Sequence, residues 1–127
     1  MFNQIDHVAI ICSDYIKSKH FYTDILQFKV VQETYREARD SYKLDLQVSA
    51  TTQIELFSFP NPPARVDRPE ACGLRHLAFS VDDIEQCIDY LESHNVACEP
   101  IRIDELTGKQ FTFFNDPDGL PLELYQS

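Results

Sequence analysis

The sequence predicts an α+β fold, two tandem β-α-β-β-β modules forming a curved mixed sheet. Three observations predict it. The segment His7-Val8-Ala9-Ile10 returns as His76-Leu77-Ala78-Phe79, an offset of 69. The segment Ile54-Glu55-Leu56-Phe57 returns as Leu122-Glu123-Leu124-Tyr125, an offset of 68. Between the copies lies a proline-rich stretch, 60–70, which divides the chain near its middle. Module one is expected over about 1–59 and module two over about 71–127.

The first module opens with Ile5–Cys12, a mostly apolar run suited to a buried strand. Ser13 and Asp14 are N-cap types, and a helix is expected from there to about Leu26. Phe28–Glu33, Leu44–Val48 and Thr52–Phe59 read as three further strands. The charged stretch Thr34–Lys43 has no clear period. Pro60, Pro62, Pro63 and Pro69 cannot donate ladder hydrogen bonds, so the connector is extended. The second module repeats the order. Leu74–Val81 is a strand, and Asp82 or Asp83 caps a helix running to about His94. Ile84, Cys87, Ile88 and Leu91 fall at helical spacing on one face. Val96–Arg102, Gln110–Asn115 and Leu120–Gln126 complete the strands. Asp116-Pro117-Asp118-Gly119 fits a type I turn, with Pro second and Gly fourth.

A chain of 127 residues can bury a core without disulfide or metal staples. Its net charge of −10 opposes phosphate backbones and anionic lipid, so neither nucleic acid nor membrane is an expected partner. The four cysteines show neither C-x-x-C nor zinc-finger spacing. Cys12 and Cys87 sit in apolar patterns as small core residues. A reduced intracellular chain is expected. No basic segment with an apolar run opens the sequence, and the expected location is cytoplasmic.

One module leaves one face of its sheet covered by helix and the other bare. Two modules together are expected to form a trough. Alternation along Gln53-Ile54-Glu55-Leu56-Phe57 puts Glu55 on the face opposite Ile54 and Leu56, and Glu123 is placed likewise between Leu122 and Leu124. A carboxylate in such surroundings costs several kcal/mol unless paired or bound to a cation, on the order of the penalty for other buried charges. Neither strand contains a Lys or Arg to neutralise it. His7 and His76 each precede an apolar run, and neutral imidazole is the commonest metal ligand. Taken singly, each of the four has an ordinary structural reading: a hydrogen-bonded strand His, a solvent-edge Glu. Their repetition at nearly the same offset, 69 for the histidines and 68 for the glutamates, makes a single metal site the better reading. The donors His7, Glu55, His76 and Glu123 suit Zn, Ni or Co first, then Mn or Fe, one ion per site. With water added the site would be open, as a catalytic metal requires.

Other chemistries are poorly supported. His20 and His94 lie on helices and read as surface residues. No G-x-S-x-G elbow is present. Three glycines leave no phosphate-cradling loop. Arg36, Glu37, Arg39, Asp40 and Lys43 read first as a solvated charged loop. Folded over the trough, Arg36, Arg39 or Lys43 would hold an anionic substrate.

Several segments together resemble the vicinal oxygen chelate superfamily, the glyoxalase, bleomycin-resistance and extradiol dioxygenase group. They are Asp6-His7-Val8-Ala9-Ile10, Phe21-Tyr22-Thr23-Asp24-Ile25-Leu26-Gln27-Phe28, Ile54-Glu55-Leu56, Arg75-His76-Leu77-Ala78-Phe79 and Asp116–Leu124. The likeness spans essentially the whole chain as a single domain, 1–127, and is greatest to small bacterial glyoxalase I-like proteins. It implies a divalent metal on His7, Glu55, His76 and Glu123, and a homodimer. It implies a lyase or isomerase acting on a hemithioacetal or similar vicinal-oxygen small molecule, such as a thiol adduct, through an enediolate. Glu123 takes the place of the base, with Glu55 as the second candidate.

The sequence also departs from that family's pattern. Ile11 stands where bacterial glyoxalase I has an Arg for the glutathione carboxylate. Ser58-Phe59-Pro60-Asn61-Pro62-Pro63 replaces an aromatic, Asn- and Gly-containing stretch, and Thr107-Gly108-Lys109 lies near the place of a Gly-Gly pair. The metal set therefore carries over, and the glutathione-binding set does not. Epimerisation, thiol transfer, ring cleavage and non-catalytic ligand binding are the alternatives within the same superfamily.

Overall fold

The computed structural model describes residues 1–127 as two compact units, Met1–Ala64 and Arg65–Ser127. The boundary falls inside the proline-rich stretch, where the backbone lacks the donors to extend either sheet. Each unit contains one four-stranded mixed sheet.

In the first unit the order is β1 (His7–Cys12), α1 (Tyr15–His20), β2 (Lys29–Arg36), β3 (Ser41–Gln47) and β4 (Gln53–Ser58). The sheet order is β1-β4-β3-β2, with β1 parallel to β4 and the other pairs antiparallel. The Asp14 carboxylate accepts from Lys17 N at 3.1 Å and starts α1. The expected helix to Leu26 changes pitch partway, because Phe21–Ile25 forms a π turn. That turn places Phe21 and Tyr22 inside, where both are buried. Leu44, Leu46, Ile54 and Leu56 are buried beside them on one face of the sheet, with Ile10 and Cys12.

The second unit repeats the topology: β5 (Leu77–Val81), α2 (Ile84–Ser93), β6 (Arg102–Ile103), β7 (Gln110–Asn115) and β8 (Pro121–Gln126), in sheet order β5-β8-β7-β6. Asp83 caps α2 by accepting from Gln86 N at 3.0 Å. Ile84, Leu91, Phe114, Leu122 and Leu124 form its buried side. The turn before β8 closes through Gly119 N donating to Asp116 O at 3.0 Å. Gly119 sits at φ +82°, a conformation that glycine adopts without the Cβ penalty.

Two expectations change. The charged stretch 34–43 is ordered: it finishes β2, makes a 3₁₀ turn at Glu37–Arg39 and begins β3. The expected strand Val96–Arg102 shrinks to Arg102–Ile103. Pro100 removes a ladder donor within it. The stretch is tied down instead by Glu99 N donating to Phe113 O at 2.9 Å and by the Thr112 hydroxyl donating to Glu99 O at 2.6 Å.

Candidate functional site

Parallel pairing of the first and last strand brings a His and a Glu together in each unit. In the first unit Ala9 pairs with Glu55, so His7, two residues earlier, shares the face of Glu55. His7 Nε2 lies 3.4 Å from Glu55 Oε2. In the second unit Ala78 pairs with Glu123, and His76 is likewise two residues earlier. His76 Nε2 lies 3.1 Å from Glu123 Oε2. The neighbouring residues Ile54, Leu56, Leu122 and Leu124 point into the cores, which turns both glutamates to the opposite face. The carboxylates are well covered, with side chains 16% and 12% exposed.

The outer nitrogen of His7 is fixed. Its Nδ1 lies 2.8 Å from Asp6 Oδ2, which leaves Nε2 toward Glu55. The Asp6 hydrogen bond, then the Glu55 charge, raise the His7 pKa above the ordinary imidazole value, against a smaller opposing effect of Lys43. His76 is held differently, by an edge-on contact with the Phe113 ring at 5.1 Å.

Glu55 does have a basic neighbour, contrary to the reading of its own strand. Lys43 on β3 places Nζ 3.6 Å from Glu55 Oε2 and 3.1 Å from Asp45 Oδ1. Asp45 is the direct partner of Glu55 in the β3–β4 register. Lys43 therefore enters the structure first as a partner of two carboxylates. Arg36 and Arg39 lie elsewhere on the first unit: the Arg36 guanidinium covers the Phe57 ring at 5.0 Å and that of Arg39 covers Phe59 at 5.3 Å. Phe57 is two residues beyond Glu55 on the same strand and on the same face.

The second unit carries a cluster that strand-by-strand reading missed. Arg102 sits over both Phe111 (5.3 Å) and Phe113 (5.4 Å). Phe111 stacks on Tyr125 at 6.4 Å, and the Tyr125 hydroxyl donates to Asp104 Oδ2 at 2.7 Å. That bond holds the Asp104 carboxyl below the usual carboxylate range. The signal was present as alternation: Phe111, Phe113, Glu123 and Tyr125 all fall on one face of two paired strands.

The donors fit a divalent metal in type. Each pair offers an imidazole Nε2 and a carboxylate, and the Asp6–His7 contact is the outer-shell arrangement that orients a ligating imidazole. Glu123 has His76 as its ion-pair partner and lies opposite an aromatic ring, so a cation there would meet an under-compensated carboxylate. No three His, Cys, Asp or Glu side chains are gathered into one metal-holding group. Each unit brings together one imidazole and one carboxylate.

A family model described as the Glyoxalase/Bleomycin resistance protein/Dioxygenase superfamily matches residues 4–124. The chain is 66% identical over 123 residues to YaeR of Escherichia coli K12, an uncharacterised protein, covering 97% of this chain and 95% of its relative. The crystal structure of the glyoxalase family protein from Enterococcus faecalis aligns with a TM-score of 0.92 at 48% identity, covering 98% of both chains. More distant relatives are 2-epi-5-epi-valiolone epimerase of an Actinomyces species, 26% identical over 94% of this chain and 77% of that protein, and metallothiol transferase FosB of Staphylococcus saprophyticus, 28% identical over 98% and 78%.

Proposed function

This chain belongs to the glyoxalase/bleomycin resistance protein/dioxygenase superfamily, and from that premise we propose that it is a divalent-metal-dependent lyase or isomerase resembling glyoxalase I. The observation that carries the reading is the repeated His–Glu pair, His7 with Glu55 and His76 with Glu123, at matching places in two sheets of one topology. The family resemblance implies His7, Glu55, His76 and Glu123 as the ligand set of the proposed centre, two of them in each unit. A homodimer in the cytoplasm is the proposed assembly. No helix is long and apolar enough to cross a membrane.

A bound Zn, Ni or Co ion, or Mn or Fe in their place, would act as a Lewis acid on the two neighbouring oxygens of the substrate. Glu123 would take a proton from the carbon bearing one oxygen and return it to the adjacent carbon, while the hydroxyl proton on the first oxygen passes to the second. Glu123 is the cross-strand partner of Phe113, and its side chain is 12% exposed. Glu55 is the second candidate for that role, with Lys43 Nζ 3.6 Å from its carboxylate. Arg36, Arg39 and Lys43 supply positive charge for an anionic part of the substrate. Arg36 is nearest to that task, stacked beside the Glu55 strand end.

Ile11 is 56% exposed at the place where an Arg would hold a glutathione carboxylate. This favours a thiol adduct other than that of glutathione, or a different vicinal-oxygen substrate. The epimerase and metallothiol transferase among the distant relatives support the second reading, another superfamily reaction on the same four ligands; a non-catalytic small-molecule-binding protein is the alternative outside catalysis.

Elemental analysis of the purified protein, beside His76→Ala and Glu123→Ala variants, tests the proposal. About one divalent ion per site is expected, lost in both variants. Turnover of hemithioacetals would then be screened with added Ni, Co, Zn and Mn. Failure to retain metal after reconstitution would rule out the lyase reading and favour a ligand-binding module.

A further inference from the structure

We infer that Lys43 is a built-in counter-cation that sets how tightly the first His–Glu pair holds a divalent metal, with Asp45 controlling how far Lys43 engages Glu55. The inference rests on the metal reading above and concerns residues of the first unit alone.

The geometry is a three-membered cluster on adjacent strands. Asp45 and Glu55 are direct cross-strand partners, which places two like charges on one face. Such a pair repels unless a cation lies between them. Lys43 provides it, with Nζ 3.1 Å from Asp45 Oδ1 and 3.6 Å from Glu55 Oε2. Asp45 Oδ1 is buried and accepts no hydrogen bond, so the ammonium is its compensation. The side chains are only partly open to water, at 31% for Lys43, 15% for Asp45 and 16% for Glu55. Screening is therefore weaker than on an open surface.

The second unit has no such cluster. The residue opposite Glu123 is Phe113, and the ion-pair partner of Glu123 is His76. The two halves of the ligand set thus differ in charge environment despite their shared topology. A dication on His7 and Glu55 would have an ammonium ion as a close neighbour, and the two positive charges repel. Asp45 counters this by drawing the ammonium toward itself.

Removing Lys43 and removing Asp45 should therefore have opposite effects. Without Lys43, Asp45 loses its cation and Glu55 keeps only His7, so a metal no longer meets a neighbouring ammonium. Without the Asp45 charge, Lys43 has Glu55 as its single partner and competes with metal for that carboxylate. A purely structural role for these residues would weaken metal binding in both cases.

The test is calorimetric titration of cobalt(II) chloride into the metal-free full chain, with the visible absorption of bound cobalt(II) as a second readout. Lys43→Met is expected to bind at least tenfold tighter than the parent protein, and Asp45→Asn at least tenfold weaker. Lys43→Arg, which keeps the charge, is expected to stay within about threefold. Equal affinity throughout, or weakening in both charge-removing variants, overturns the inference. If Lys43→Met does not fold, Asp45→Asn and Lys43→Arg still decide: an unchanged Asp45→Asn overturns it. Absence of cobalt(II) binding by the parent protein would instead strike the proposed function, and the inference with it.

Discussion

Glu123 stands directly opposite Phe113 in the β7–β8 ladder, whereas its counterpart Glu55 stands opposite Asp45. One carboxylate faces an aromatic ring and the other faces a second carboxylate bridged by Lys43. The same backbone thus holds two unlike pairs.

The asymmetry makes the two histidines unequal in the metal-free protein. His76→Ala removes the ion-pair partner of a side chain that is only 12% exposed. A buried carboxylate left in this way costs about 1–3 kcal/mol. His7→Ala leaves Lys43 beside Glu55 and should cost less, under about 1 kcal/mol. Urea unfolding in the presence of a chelator measures both, and equal losses would show that the Lys43 contact does not compensate Glu55.

Acid sensitivity is expected on the face of the first sheet opposite Glu55. Glu33 accepts from Lys19 Nζ at 2.7 Å and from the Tyr15 hydroxyl. The Lys19 bond, then the Tyr15 bond, hold its carboxyl below the ordinary Glu value of 4.5. A folded-state value below the unfolded one stabilises the fold above that unfolded value. The contribution is lost as pH falls through the folded value. The pair is about one-third exposed, so screening keeps the effect to a few tenths of a kcal/mol, the range of surface ion pairs. Glu33→Gln should reduce the stability difference between pH 6 and pH 3 by about that amount, as read from urea midpoints.

How much of this was legible in the sequence depends on the range of the signal. Glu55 and Glu123 were visible because alternation and the repeat offset act along one strand. The capping aspartates Asp14 and Asp83 were visible for the same reason, since a cap bonds three residues ahead. The Lys43–Asp45–Glu55 cluster was not, because it depends on the register between β3 and β4, which a strand read by itself does not contain. β2 was cut short in the reading because its side chains are mostly exposed, leaving no buried stripe to give it a period. Arg36 and Arg39 lie at and just beyond its end, and their rings Phe57 and Phe59 are about twenty residues away.

The cysteines should differ in reactivity. Cys72 is exposed and Cys12 is buried, its thiol donating to Phe57 O at 3.3 Å. Burial pushes the Cys98 thiol up to about 11, helped by Glu92, and pushes Cys87 up as well, with Asp83 and Asp82 adding to it. The thiolate is the reactive form, so at pH 8 an aromatic disulfide reagent should label exposed Cys72 rapidly, half-buried Cys87 and Cys98 slowly, and buried Cys12 only on unfolding. Mass spectrometry of the labelled peptides checks this, and fast labelling of Cys98 would contradict the burial argument.

The last prediction separates substrate holding from catalysis. Arg36 lies over Phe57, two residues from Glu55, and its Nη2 donates to the Ser41 hydroxyl at 3.4 Å. Its stacking on the ring fixes its position without committing the charge to a carboxylate partner, unlike Lys43. Arg36→Ala should therefore raise KM for an anionic thiol adduct by about tenfold, the worth of one charge-assisted contact of about 1.4 kcal/mol. Turnover at saturation should change little, since the contact is present in both ground and transition states. A neutral adduct of the same size should show no KM change. If kcat fell while KM held, Arg36 would be acting on the reacting centre, and the substrate's charge would have to be sought elsewhere on the face.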